Sequence, residues 1–179
     1  MLYLIATPIG NLADISFRAI TVLQSCDYIL CEDTRTSLHL LQKYEINKPL
    51  KSYHQFNESG RAEEILADLK KDLTIALITD AGTPGISDPG EKLASLCRAE
   101  GIQVSAIPGP CAAIAALSIS GLSSKRFQFL GFLPKKHSEN KAVLIDVLHY
   151  PGTSICYESP HRITDTLELL SLIAKDRTL

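Results

Sequence analysis

The sequence predicts an α/β chain in which a parallel-sheet domain over residues 1–121 is followed, from residue 122, by the beginning of a second α/β domain. Short β-rich runs alternate with helical stretches, the signature of βαβ units. Turn-rich loops follow several of those runs, and after a small-residue segment, Ala112–Gly121, the alternation starts again. Leu2–Ala6, Tyr28–Cys31, Leu50–Tyr53, Thr74–Thr79 and Gln103–Ile107 have strand composition. Helical segments fall between them. Ala62, Ile65, Leu66 and Leu69 recur at the spacing of one helix face, and Gly101 closes the helix carrying Leu93, Leu96 and Cys97 as its C′ residue. In the second domain Phe127–Phe132 and Thr153–Tyr157 read as strands. A helix is expected around Lys141–His149 and another bearing Ile163, Leu167 and Leu170. The last apolar stripe runs almost to Leu179 with no return strand, so the second domain is expected to be incomplete.

With 179 residues, 45% of them hydrophobic and 21% charged, the chain can bury a sizeable core. Its apolar runs are too short for a membrane span, and MLYLIATPIG has no basic stretch ahead of its apolar residues, which leads to a cytoplasmic expectation. The five cysteines lack a Cys-x-x-Cys pair, which fits reduced thiols and argues against structural zinc. A formal net charge of -2 removes the general basic field of a non-specific nucleic-acid binder, so any RNA contact must be local.

The most informative stretch is Leu77–Gly90, LITDAGTPGISDPG, where a buried strand enters a loop stiffened by Pro84 and Pro89 and opened by Gly82, Gly85 and Gly90. Such a loop beyond the carboxyl end of a parallel strand sits where ligands collect. Gly85–Gly90 has the glycine spacing of a phosphate-binding loop, but Glu91 stands where the lysine belongs, which excludes a nucleoside triphosphatase. Thr7-Pro-Ile-Gly-Asn11 lacks the Gly-x-Gly-x-x-Gly of a dinucleotide site. Neither a Gly-x-Ser-x-Gly elbow nor a His-Glu-x-x-His pair is present. Three loops remain, Thr7–Leu12, Asp80–Gly90 and Pro108–Cys111. All follow strands and should converge on one edge of the sheet, around a ligand that is neither a triphosphate nor a dinucleotide.

Six blocks in register, ATPIGNLADISFRA, CEDTR, TDAGTPGISDPG, IPGPCAAIAAL, GFLPKK and YESPHR, span nearly the whole chain. Together they resemble the tetrapyrrole methylase superfamily, and within it the bacterial small-subunit ribosomal RNA (cytidine-2′-O)-methyltransferase branch. The porphyrin-precursor methylases usually open on a Gly-x-Gly-Pro-Gly type loop, from which Thr7-Pro-Ile-Gly10 departs. The resemblance implies a two-domain class III methyltransferase-like fold with S-adenosylmethionine between the domains, ribosomal RNA of the 30S subunit as partner, a homodimer, and no metal. It also implies that Ile9 and Gly10 line the cofactor cleft, that Asp80, Ala81, Gly82 and Thr83 touch the methionine or ribose portion, and that Pro110, Cys111, Ala112 and Ala113 pack near it, with Tyr157 facing it. Close helix packing would account for the alanines equally well. The rival readings are a tetrapyrrole or protein acceptor for the same cofactor, or a non-catalytic module binding RNA or an adenosine-like metabolite.

Methylating a ribose hydroxyl requires alignment and a proton acceptor. Catalytic candidates are Glu32, Asp33 and Arg35 after the second strand and Glu158 and His161 after the last one, with Asp80 and Asp88 also within the polar set. The base stays unassigned among them. Asp33 could equally cap the helix starting near Thr34, and Asp88 could form an Asx-turn before Pro89. Arg126, Lys135, Lys136 and Lys141, with Arg162, are the candidates for RNA phosphates, though solvated surface lysines would look the same. His54, Asn57 and Glu58 lie beyond the third strand and could help hold substrate.

Overall fold

A computed structural model describes residues 1–174, in two compact units, Met1–Ala112 and Ala113–Leu179. The end of the apolar stripe toward Leu179 lies outside the described residues. The first unit alternates strand and helix as expected: β1 (Leu2–Ile5), α1 (Phe17–Ser25), β2 (Tyr28–Cys31), α2 (Thr34–Lys43), β3 (Leu50–Ser52), α3 (Glu58–Leu69), β4 (Ile75–Leu77), α4 (Glu91–Ala99) and β5 (Val104–Ile107). A short 3₁₀ turn, Leu12–Asp14, precedes α1. The strands form one sheet in the order β3-β2-β4-β1-β5, and every pairing is parallel.

Alternate residues of each strand feed opposite core layers, as the period of two requires. On one face Ile5, Ile29, Cys31, Ala76 and Ile78 pack with Ala19 and Leu23 of α1 and Leu40 and Leu41 of α2. Across the sheet Leu2, Tyr28, Leu30, Ile75 and Leu77 pack with Ile65 and Leu69 of α3 and Leu93 and Cys97 of α4. The sheet is therefore covered on both sides, which is why β2 and β4 are continuous apolar runs. At the end of α4, Gly101 has φ +69°, the left-handed conformation expected of a C′ residue.

Strand order locates the functional edge. β1 exits toward β2 and β4 exits toward β5, yet β1 and β4 are neighbours, so their connections leave in opposite directions from adjacent strands. That is a topological switch point, and it opens a crevice at the carboxyl ends of the two strands.

The second unit contains α5 (Ala112–Ile119, its first residue shared with the preceding unit), β6 (Phe127–Phe132), α6 (His137–His149), β7 (Thr153–Tyr157) and α7 (Ile163–Ile173). Its two strands pair in parallel. Leu133, Leu144 and Leu169 form its small core. The division precedes the restart of the pattern at residue 122 because α5 goes with this unit: the Ala113 amide donates to the Tyr157 hydroxyl at 3.2 Å. A cavity of about 810 Å³, largely apolar, is lined by residues including Leu133, Leu144, Leu170, Cys156 and Glu158. Among the described residues no helix is long and apolar enough to cross a membrane.

Candidate active site

The three loops of the first unit do converge, and backbone hydrogen bonds lace them together. Thr7 and Gly82 exchange both of their amide bonds, at 2.9 and 3.1 Å, forming an antiparallel bridge between the loops that leave β1 and β4. The buried Thr7 hydroxyl donates to the Thr79 carbonyl at 3.0 Å. Thr83 ties in the third loop through its hydroxyl, which donates to the Pro110 carbonyl at 3.0 Å. Gly82 sits at φ +92°, and a Cβ there would face Ile9 Cγ2 at 3.6 Å and the Pro110 carbonyl at 4.0 Å. Gly109 approaches Ala6 so closely that a Cβ would lie 3.0 Å from that methyl. The glycines thus permit the loops to close over one another.

Ile9, Gly10, Asp80 and Ala81 stay exposed in this arrangement, while Thr83, Pro110 and Cys111 are half-buried. None of the described residues accepts from the amides of Ala81 or Thr83. The crevice therefore offers free backbone donors beside small residues and a carboxylate. That donor set suits a ligand with a carboxylate, hydroxyls and an ammonium group, and it lacks the lysine of a triphosphate cradle. Ala112 is exposed at the start of α5, whereas Ala113 and Tyr157 lie in the second unit. There Tyr157 meets Phe129 and Phe132 edge-on, with centroids 4.9 and 5.4 Å away.

A carboxylate cluster stands next to the crevice. The Asp33 amide donates to Asp80 Oδ1 at 3.2 Å, joining the ends of β2 and β4. Glu32 and Asp88 share the wall of a cavity of about 390 Å³ with Gln55, Glu58 and Lys92. Burial, then the charges of Glu32 and Asp80, push the Asp88 carboxyl up to about 6. Burial and Asp80 also raise Glu32, against an opposing pull from His54. Glu58 is buried but paired with Lys92 at 2.6 Å, so it braces α3 against α4 across the cavity wall.

Asp33 plays a different part from its neighbour. It caps α2, accepting from the Arg35 amide at 2.8 Å, and binds the Arg35 guanidinium at 2.6 Å. Those hydrogen bonds hold its carboxyl down to about 2, a poor proton acceptor near neutrality.

In the second unit the Glu158 side chain is only 5% exposed and is fully engaged. It pairs with Arg162 at 2.6 Å and accepts from the Thr166 hydroxyl at 2.8 Å and the Ser159 amide at 2.7 Å. Arg162 also donates to the carbonyls of Pro134 and Leu133 at 3.0 and 3.1 Å, fastening the GFLP segment. Arg162→Ala would strand a buried carboxylate and two carbonyls, so thermal unfolding is expected to report a loss of roughly 3 kcal/mol. Adding Glu158→Gln should recover part of it, and equal stability of Arg162→Ala and the parent would contradict this reading of the pair. His161 is exposed in the adjoining turn. Lys135 and Lys141 are exposed with no carboxylate partner among the described residues, Lys136 pairs with Glu139, and Arg126 lies over the Tyr150 ring at 5.5 Å.

Residues 1–178 match the family described as Tetrapyrrole (Corrin/Porphyrin) Methylases. The chain belongs to the tetrapyrrole methylase family. Methylases of this family take the transferred group from S-adenosylmethionine. The "Ribosomal RNA small subunit methyltransferase I" of Escherichia coli O157:H7 is 49% identical over 98% of the chain, and its counterpart in Synechocystis sp. is 47% identical over all of it. The match takes in 62% and 64% of those relatives, so the chain spans a little under two thirds of their length. Among solved structures, a diphthine synthase superposes with TM-score 0.69 at 12% identity, covering 97% of this chain and 71% of its own. The uroporphyrin-III-C-methyltransferase of Thermus thermophilus superposes with TM-score 0.65 at 20% identity, covering 99% and 74%. The fold expected of a class III methylase is thus the one these neighbours share.

Two features of the site escaped the sequence: what perturbs Asp88, and the exposure of Phe56. Asp88 reads both as a polar candidate and as a turn former before Pro89, but nothing linear says that Glu32 will lie near enough to shift it. Phe56, 95% exposed next to the cavity-lining Gln55 in the sequence, carries no periodic signal at all.

Proposed function

We propose that this chain is the S-adenosylmethionine-binding part of an enzyme that methylates the ribose 2′-hydroxyl of a cytidine in small-subunit ribosomal RNA. The observation that carries it is the near-50% identity, over essentially the whole chain, to relatives named for methylating small-subunit ribosomal RNA. The laced crevice and the adjacent carboxylates support the chemistry.

In this reading Ile9, Gly10, Asp80–Thr83 and Pro110–Ala112 hold the cofactor. The cofactor supplies a methyl group already activated on a sulfonium. The chain must then align the hydroxyl and take its proton. Alignment accounts for much of the rate, and a positioned base adds roughly 10²–10⁴-fold. Asp88 suits the role of base, because with its carboxyl near 6 it is ionised at neutral pH yet accepts a proton more readily than an ordinary aspartate. Glu32 beside it keeps the proton affinity of the pair high. Arg126, Lys135, Lys136 and Lys141 serve as the phosphate contacts, and the enzyme works as a cytoplasmic homodimer.

Transfer of a labelled methyl group to small ribosomal subunits that lack their native modifications, followed by nuclease mapping, tests the reading. Label on a cytidine 2′-oxygen is the expected result. Cofactor binding without label on RNA would refute it for this chain, and label on a tetrapyrrole or on protein would replace the acceptor.

A further inference from the structure

The turn that supplies Gln55 to the wall of the carboxylate cavity carries a feature with no part in the fold. Phe56 projects from the turn between β3 and α3 and is 95% exposed, so it forgoes the stabilisation that burying a phenylalanine brings. Single exposed apolar residues are common, and Phe17 at 92% is another. What distinguishes Phe56 is where and how it is held. Its turn is braced: the His54 amide donates to Asn57 Oδ1 at 2.9 Å, Asn57 Nδ2 donates to the Ser52 carbonyl at 3.2 Å, and the amides of Asn57 and Glu58 donate to the His54 carbonyl at 2.9 and 3.0 Å. Gln55 immediately before it and Glu58 two residues after it line the cavity that Glu32 and Asp88 share. Its aromatic neighbour His54 is 6.1 Å away at 63°, a tilted contact and not a parallel stack.

Taking the RNA reading above as its basis, we infer that Phe56 is a stacking platform for an unpaired nucleobase of the substrate. An aromatic face offered to solvent from a braced turn is a group that recognises unstacked bases, since every base has a π-face. The cavity repels phosphate, because Glu32, Asp88 and Glu91 line it and its one lysine, Lys92, is paired with Glu58. A nucleotide must therefore enter through its neutral parts, base and ribose, with the phosphates left outside. Gln55 and the carboxylates offer hydrogen-bond partners to a base edge, cytosine's amino group among them.

The chain contains no tryptophan, which makes a direct test possible. Phe56→Trp places a single reporter at the proposed platform, and Phe17→Trp places one on α1 as a control. Titration with a short oligocytidylate should quench Phe56→Trp emission saturably and leave Phe17→Trp unchanged. An abasic ribose-phosphate oligomer of equal length should quench neither. Phe56→Ala should weaken oligocytidylate binding roughly tenfold. Binding by the parent chain with no quenching in Phe56→Trp and no loss in Phe56→Ala would overturn the stacking role while leaving the RNA reading intact. Failure of the parent to bind any oligonucleotide would overturn both. A Phe56→Ala variant that changes oligomeric state but not RNA affinity would assign the ring to a protein contact instead.

Discussion

Gly82→Val is expected to weaken S-adenosylmethionine binding at least 100-fold and to lower the melting temperature. Gly82 sits at φ +92°, where a side-chain-bearing residue is strained by about 1–3 kcal/mol. A branched side chain would also push against Ile9 and the Pro110 carbonyl, which already lie 3.6 and 4.0 Å from a bare Cβ. The bridge to Thr7 depends on the Gly82 amide and carbonyl together, so strain at this residue spreads to two of the three loops. Gly82→Ala meets only the backbone strain and should bind the cofactor with a milder loss. Isothermal titration calorimetry of both variants, with thermal melts on the same samples, checks the ordering. Binding by Gly82→Val within twofold of the parent would mean that the crevice is not built as described.

Asp88→Asn is expected to separate activity from stability in opposite directions. Turnover should fall by roughly 10²–10⁴-fold if Asp88 takes the proton. Stability should rise, and the sign follows from linkage. Folding raises the carboxyl from an ordinary value near 3.8 to about 6, so the folded state binds the proton more tightly than the unfolded chain. Ionised Asp88 therefore destabilises the fold, fully above about pH 6, and that cost fades as pH falls toward 4. Because the side chain is partly exposed, solvent screening leaves roughly 1 kcal/mol of the effect. Denaturant melts at pH 8 should show Asp88→Asn more stable than the parent by about that amount, with the gap closing by pH 4. An inactive variant with unchanged stability at both pH values would leave the role in catalysis but remove burial as its cause. Full activity would remove the role.

The sequence made the strand skeleton legible because its strands are apolar runs bounded by turn residues. Tyr28–Cys31, Phe127–Phe132 and Thr153–Tyr157 run as expected, and the run Thr74–Thr79 differs only in that the ladder covers Ile75–Leu77 before the chain turns into its loop. α6 begins at His137, ahead of the expected Lys141, because its first turn, His-Ser-Glu-Asn, is polar and gives no periodic signal. Convergence of the three loops was legible as well, since loops leaving the same end of parallel strands share an edge. The insertion of β4 between β1 and β2 was not, and it is this strand order that brings Asp80 to Asp33 and Asp88 within electrostatic reach of Glu32. Glu158 and Arg162 look like chemistry in the string YESPHR. In space their charges satisfy one another and pin Leu133 and Pro134, a demand that arises only when the carboxylate is buried.

Residue-resolved mapping of S-adenosylmethionine on the isotopically labelled chain by nuclear magnetic resonance tests the switch-point crevice most directly. Saturation with the cofactor should move the amides of Ile9, Gly10, Ala81, Thr83 and Cys111 most, because those of Ala81 and Thr83 have no acceptor among the described residues and lie in the converging loops. Shifts confined to the apolar cavity of the second unit, or silence in all three loops at saturating ligand, would contradict the crevice as the cofactor site.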